Sequence, residues 1–257
     1  MKHPLLPLIL SLPLVSSASG ALSLTSLFSP ADASFAGFTA PATWATTSPG
    51  TGQLDSNRWA MNADGSLVDT PAAFGVDQTS GQGSSTGSES AAGVYAFEVG
   101  AAETALGVQP TGSFWSPGMF TLRLQNDTGT TVTSLQIDWT VWVYNDQGRS
   151  NDMSLLHSSD NFAYSHAGPE FDVLSPAEAS SAPVPWQGTT RSAVLSSLAL
   201  PNGETYFLRW GGDDVGGSGS RDELALGSIR VTPIPEPANL GLLAMATTAL
   251  LNRRRRP

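Results

Sequence analysis

The sequence predicts an all-β protein: an antiparallel β-sandwich, jelly-roll-like or Ig-like, set between an N-terminal signal peptide and a short apolar C-terminal helix. Three observations predict it. Charged residues make up only 13% of the 257-residue chain, and 26 glycines and 18 prolines stand where soluble helical proteins carry Lys and Glu. From Val94 onward, apolar and polar side chains alternate at period two, the mark of strands with one buried face. No helical period of useful length occurs between the two ends. One principal core is the default at this length, because all-β sandwiches often run past the usual domain size.

Taken in order, residues 1–20 open with Lys2 and His3, continue through an apolar run from Leu5 to Val15 and leave on Ser16, Ser17, Ala18, Ser19 and Gly20. Charge, short apolar stretch and small-residue exit are the parts of a secretory signal peptide, and cleavage is expected between Ala18 and Ala21. The body is then residues 21–232. Its first part, residues 21–93, is loop-rich, with two or three short strands around Trp44, Trp59, Met61, Phe74 and Val76, and residues 79–93 read as an exposed, mobile loop. Residues 94–232 carry the stronger strands. In residues 94–99, Tyr95, Phe97 and Val99 share a side; in residues 119–125, Phe120, Leu122 and Leu124 oppose Thr121, Arg123 and Gln125. After the turn formers Asn126, Asp127, Thr128 and Gly129, residues 134–145 put Leu135, Ile137, Trp139, Val141 and Val143 on one face. Gln136, Asp138, Thr140, Trp142 and Tyr144 lie on the other, and the two strands with their turn read as a hairpin. Residues 205–210 and 223–231 supply two more strands, joined by a glycine-rich acidic loop.

Charge narrows the partners. The chain carries a formal net charge of −10, but its single lysine is Lys2 and four of its arginines are Arg253 to Arg256. Without the two ends, the body holds 21 acids against 7 arginines, a net of −14. Such a surface repels nucleic acid and anionic lipid. The chain has no cysteine, which removes disulfides, thiolate metal sites and a cysteine nucleophile together.

At the C-terminus, residues 238–251 form an apolar run that as a helix would reach about 21 Å, short of a full hydrocarbon core. Pro235 and Pro237 cap its outer side, and Arg253, Arg254, Arg255 and Arg256 would hold its distal end in the cytoplasm. Pro235, Glu236 and Pro237, then the apolar run, then the arginine cluster resemble the PEP-CTERM sorting signal of Gram-negative bacteria that make exopolysaccharide. The resemblance implies that residues 233–257 are a sorting tag, inserted transiently in the inner membrane after Sec export and cut by exosortase, a membrane protease. The implied destination is the cell surface or extracellular matrix. A simple C-terminal anchor or a buried helix with a basic cap are the plain alternatives.

A second resemblance covers roughly residues 94–232. Ala105-Leu106-Gly107, Asn126 to Gly129, Phe207-Leu208-Arg209-Trp210, and Asp222 with Leu224-Ala225-Leu226 follow the order of an uncharacterised β-rich domain of bacterial secreted proteins. The chain departs from that pattern where Gly227 and Ser228 replace acids, and the strand after Gly129 lacks the glutamate found there in the family.

Several groups could carry chemistry. Asp213, Asp214, Asp222 and Glu223 surround a glycine-rich loop, and hard oxygen ligands on a flexible loop suit Ca²⁺. EF-hand spacing is absent, and solvated loop acids are the alternative. His157 and His166, with Asp160, show no helical spacing that would join them as metal ligands. Trp142 and Tyr144, opposite Trp139, would present rings to solvent as glycan contacts, unless a loop such as residues 175–188 covers them. Arg209 reads as a structural ion-pair or stacking partner. The expectation is an exported, non-enzymatic surface or matrix protein with a structural or adhesive role in exopolysaccharide or biofilm. A carbohydrate-binding module and an extracellular hydrolase are the alternatives, and calcium is the single cofactor in view.

Overall fold

This computed structural model describes residues 20–38, 43–63, 65–100, 103–181 and 185–235. All but Gly20 of the expected signal peptide, and everything from Glu236 through Arg253, Arg254, Arg255 and Arg256, lie outside those residues. Among the described residues the regular structure is fifteen strands and one turn of 3-10 helix at Pro169–Phe171. No helix there is long and apolar enough to cross a membrane.

Two sheets share the strands. The first is built on β7 (Gly118–Asn126), β13 (Thr205–Gly212) and β9 (Arg149–Ser158). β1 (Leu22–Leu24) and β3 (Trp59–Asn62) both pair with β7, while β10 (Ser165–His166), β11 (Val173–Leu174) and β14 (Asp214–Gly217) pair with β9. The second sheet runs β12 (Gln187–Leu195), β8 (Leu135–Tyr144), β15 (Glu223–Pro233), β6 (Glu103–Gln109), β5 (Gly93–Val99), β4 (Gly81–Ser85). β15 pairs with β8 along one side; on its other side β6 takes Leu224–Leu226 and β2 (Ala31–Asp32) takes Arg230 and Val231. Pairing is antiparallel except for β1 with β7 and β4 with β5.

The inward faces have the period the sequence shows. Leu122, Leu124, Leu208, Trp210 and Leu155 of the first sheet meet Ile137, Trp139, Val141, Leu224 and Leu226 of the second in one buried cluster. Trp139 and Trp210 meet edge-on across the gap, 6.3 Å between ring centroids, a geometry that suits the ring quadrupoles. Close approach also needs missing side chains. A Cβ on Gly212 would lie 1.9 Å from the Asp152 carbonyl oxygen, so β13 can leave the sheet there only as glycine.

Arg209, fully buried at the centre of β13, stacks on the Tyr164 ring at 3.4 Å from its centroid, as one of the two expected roles requires. It donates to the carbonyl oxygens of Leu67 and Thr70, at 2.7 Å each, and to the Thr121 hydroxyl at 3.1 Å. One guanidinium thus ties the loop around residues 67–70 to the sheet.

Two expectations fail. β7 and β8 are not a hairpin: β7 lies in the first sheet and β8 in the second, joined by an arch. Both strands carry an apolar face, and facing each other across the core buries both faces, where a hairpin would set them side by side. Asn126, fully buried, anchors the arch by donating to the carbonyl oxygens of Thr130 and Leu200 at 2.7 and 2.8 Å. Residues 79–93 are not wholly loop, since β4 runs beside β5 by backbone pairing alone. Its small residues let the edge approach closely: a Cβ on Gly81 would fall 2.9 Å from the Trp44 nitrogen.

Candidate functional site

The outer face of the second sheet carries a separate aromatic layer. Tyr95 and Phe97 of β5, with Val99, Ala105 and Ala225, are buried there, and half-buried Trp142 and Trp186 pack on them. Trp142 can lie low because its neighbours across the ladder are Gly188 on β12 and Ala225 on β15. A Cβ on Gly188 would come 2.8 Å from its ring, and one on Gly100, where the backbone is left-handed at φ +53, would come 2.9 Å away. The β5–β6 turn and β12 therefore clasp the indole, and neither glycine tolerates a side chain without moving it.

Tyr144 stands one pleat along and meets Trp186 at 5.2 Å between centroids, while Trp186 meets Phe97 at 4.8 Å. The indole N–H of Trp186 donates to the Thr86 carbonyl oxygen at 2.9 Å, which fixes the ring against the strand edge. Trp142 and Tyr144 thus share one face, as expected, and the loop expected to cover them does so in part, through Trp186. Sequence reasoning passed over Trp186, although an indole between proline and glutamine in a polar loop is itself a signal.

Polar groups border this layer. A cavity of about 390 Å³ opens beside it, lined by Thr86, Glu98, Gly100, Glu103 and Thr104. A second, of about 430 Å³, is lined in part by Asp32, Ser34, Glu103, Thr104, Ser228 and Arg230. Glu103 accepts a hydrogen bond from the Ser228 hydroxyl at 2.9 Å. Beneath Tyr144 lies Glu223, fully buried and facing Tyr144 in the ladder. Its Oε1 accepts from the Glu89 N–H at 2.6 Å, and its Oε2 has no donor. Burial, with the nearby Asp146 carboxylate adding to it, pushes Glu223 up to about 8.

The four acids considered for calcium do not converge. Asp213 and Asp214 lie where β13 passes to β14; Asp213 accepts from the Ser116 hydroxyl at 3.0 Å, and Asp214 forms an ion pair with Arg149 that holds its carboxyl below the usual range. Asp222 is buried on another course, accepting from the Gln147 N–H at 2.9 Å, and burial raises it to about 6. Among the described residues, no group of three or more His, Cys, Asp and Glu side chains is arranged to hold a metal ion.

The histidines are likewise apart. His157 shares a 2.6 Å hydrogen bond with the Tyr206 hydroxyl and is lowered by burial; His166 pairs with Asp172 at 2.7 Å. His157 lies directly across from Ser165, so alternation turns His166 to the opposite face. Asp160 serves its own turn, accepting from the Phe162 and Ala163 N–H groups at 2.8 and 2.9 Å.

No family model matches the chain, and no curated protein matches it. Among solved structures, the chain is similar to the K3 cleaved adhesin domain of Lys-gingipain from Porphyromonas gingivalis W83, at 15% identity over 68% of this chain and 91% of that one, TM-score 0.34. It is similar to CBM28, a carbohydrate-binding module specific for non-crystalline cellulose, at 9% identity over 77% of this chain and 96% of that one, TM-score 0.35. TmCBM61, solved with β-1,4-galactotriose, is similar at 11% identity over 57% and 85%, TM-score 0.31.

Proposed function

We propose that this chain is an exported surface or matrix protein whose β-sandwich, jelly-roll-like or Ig-like in kind, holds exopolysaccharide by binding sugars on the outer face of its second sheet. The observation that carries this reading is the aromatic layer. Trp44, Trp115, Trp139 and Trp210 are fully buried, whereas Trp142, Tyr144 and Trp186 stay partly exposed together on one face, beside carboxylates and threonine hydroxyls. Ring faces suit the apolar faces of sugars, and the bordering oxygens suit their hydroxyls. The role is adhesive and non-catalytic. The PEP-CTERM-like tail, with Pro235, Glu236 and Pro237 ahead of the arginine cluster, is the address that delivers the protein through exosortase.

Titration of the full chain with its host's exopolysaccharide tests the binding. Saturable binding is expected, with Trp186→Ala weakening it about tenfold or more, and Trp142→Ala acting alike. Unchanged affinity in both variants would remove the outer face as the site. An extracellular hydrolase would instead turn the glycan over and lose that turnover on substitution of one Asp or Glu.

Delivery is tested by intact mass and location of the native protein in cells with and without exosortase. Loss of the tail and arrival in the matrix are expected only when the protease is present. An intact tail and inner-membrane location in both strains would make the tail an ordinary anchor.

A further inference from the structure

The second sheet has a notch. β6 stops pairing with β15 at Leu226, β2 begins at Arg230, and the register of β15 on β8 shifts between Gly227 and Arg230. Such bulges bend a strand and re-aim its side chains. Here the bulge holds Ser228 at φ 50, a left-handed backbone that a non-glycine residue seldom adopts, and turns its hydroxyl to Glu103. The 430 Å³ cavity occupies this notch. Its floor is apolar, from Trp59, Leu106 and Ile229 at the margin of the core, and its rim is polar.

Glu103 and Thr104 line both this cavity and the 390 Å³ one beside the aromatic layer. Each is large enough for a small ligand. Glu103 and Thr104 stand between the two, so a ligand on a path from the β5–β6 turn to β2 would pass over them. The charged groups on that path are Asp32, Glu98 and Glu103 against Arg230 alone, in a body of strongly negative net charge. Carboxylates there accept hydrogen bonds from hydroxyls and repel a ligand's own carboxylates.

We infer that the notch is the second half of the glycan site, so that the ligand is a chain of several uncharged, hydroxyl-rich sugars laid across Glu103, and polyuronates are excluded. This rests on the outer-face reading above, and it adds length and charge selectivity to it. The site grips the inside of a polymer, and its far half is built from the N-terminal segment around Asp32 and Ser34.

Calorimetric titration of the full chain with neutral gluco-, galacto-, manno- and xylo-oligosaccharides of increasing length, and with uronate oligomers of matched length, tests the inference. The best neutral series is expected to tighten by about tenfold or more from disaccharide to tetrasaccharide or longer, with uronates weaker by at least as much at equal length. Ser34→Trp, which fills the exposed rim of the notch, is expected to bring long oligomers back to disaccharide affinity while leaving the disaccharide unchanged. Trp186→Ala weakens every length. Length-independent binding that still depends on Trp186, equal binding of uronates, or a Ser34→Trp variant with full affinity for long oligomers would each overturn the extended site and leave the outer face standing. If no glycan binds at any length, the outer-face reading itself fails, and this inference with it.

Discussion

Arg209→Ala is expected to destabilise the protein by about 3–5 kcal/mol, lowering its melting temperature by on the order of 10 °C. The side chain is fully buried, its charge is partnered by carbonyl dipoles and the Tyr164 ring, and burial lowers its pKa. Truncation leaves the Leu67 and Thr70 carbonyl oxygens and the Thr121 hydroxyl without their donor, and buried unsatisfied groups are the expensive kind. It also unties the loop that the guanidinium pins to the sheet. Arg209→Lys keeps the charge but not the planar fork that reaches three acceptors at once, and it should recover only part of the loss. Melting curves of the three proteins check this; an alanine variant within about 1 kcal/mol of the parent would show that water replaces the fork.

The second large effect is on pH. Glu223 titrates near 4.5 in an unfolded chain and about 8 in the fold. Its raised folded value means that the fold prefers the protonated form. The associated stability is fully present below about pH 4.5, is lost as pH rises toward 8, and levels off above that. The slope inside the window is about 1.4 kcal/mol per pH unit at most, so the total reaches a few kcal/mol. Burial sets this direction and the Asp146 carboxylate adds to it, while the N–H of Glu89 donated to Oε1 opposes it without reversing it; Tyr144 on β8 and Tyr95 on β5, the other neighbours, bring no positive charge. Glu223 Oε2 has no donor from the protein, and holding a proton there removes its buried charge. Glu223→Gln supplies a permanent donor of the same shape. The variant should be nearly as stable as the parent at pH 5, more stable by a few kcal/mol at pH 8, and left with the smaller slope of Asp222. Denaturant unfolding at the two pH values reads the difference directly. A parent chain equally stable at both would place a cation or water where the proton is assigned.

Period-two alternation revealed most of the strands, because it reports a face in contact with a core whatever the partner. It said nothing of the partner, which is why the apolar faces of β7 and β8 looked like a hairpin when they in fact oppose each other across the core. β4 was hidden for the opposite reason. Gly81, Gln82, Gly83, Ser84 and Ser85 have no apolar face to show and join the sheet through backbone groups alone. At the site, Trp142 and Tyr144 were legible as ring-bearing positions on the outer face of a strand. Glu103 and Ser228 were not, since their meeting depends on a bulge and a hairpin end converging, and neither leaves a local pattern, while Trp186 stood out only as an indole in a polar loop, with nothing nearby in sequence to say what it would meet. The four acids of the glycine-rich loop looked like a cluster for the converse reason. Nearness in sequence put them together, while the turn from β13 into β14 and the start of β15 carry them to different places.

β1 and β2 have a consequence for the timing of closure. They are the first strands of the body, yet their partners lie about one hundred and two hundred residues further on, in β7 and β15. A chain threaded through a membrane N-terminus first presents these edges long before anything can cover them, and with no cysteine it has no crosslink to hold a partial structure. The second sheet is not complete until residues 223–233 have emerged, only two residues ahead of Pro235. In the delivery proposed above, the pause of the tail in the membrane falls at the moment when the last strand arrives, and it gives the sandwich time to shut before the protein is let go.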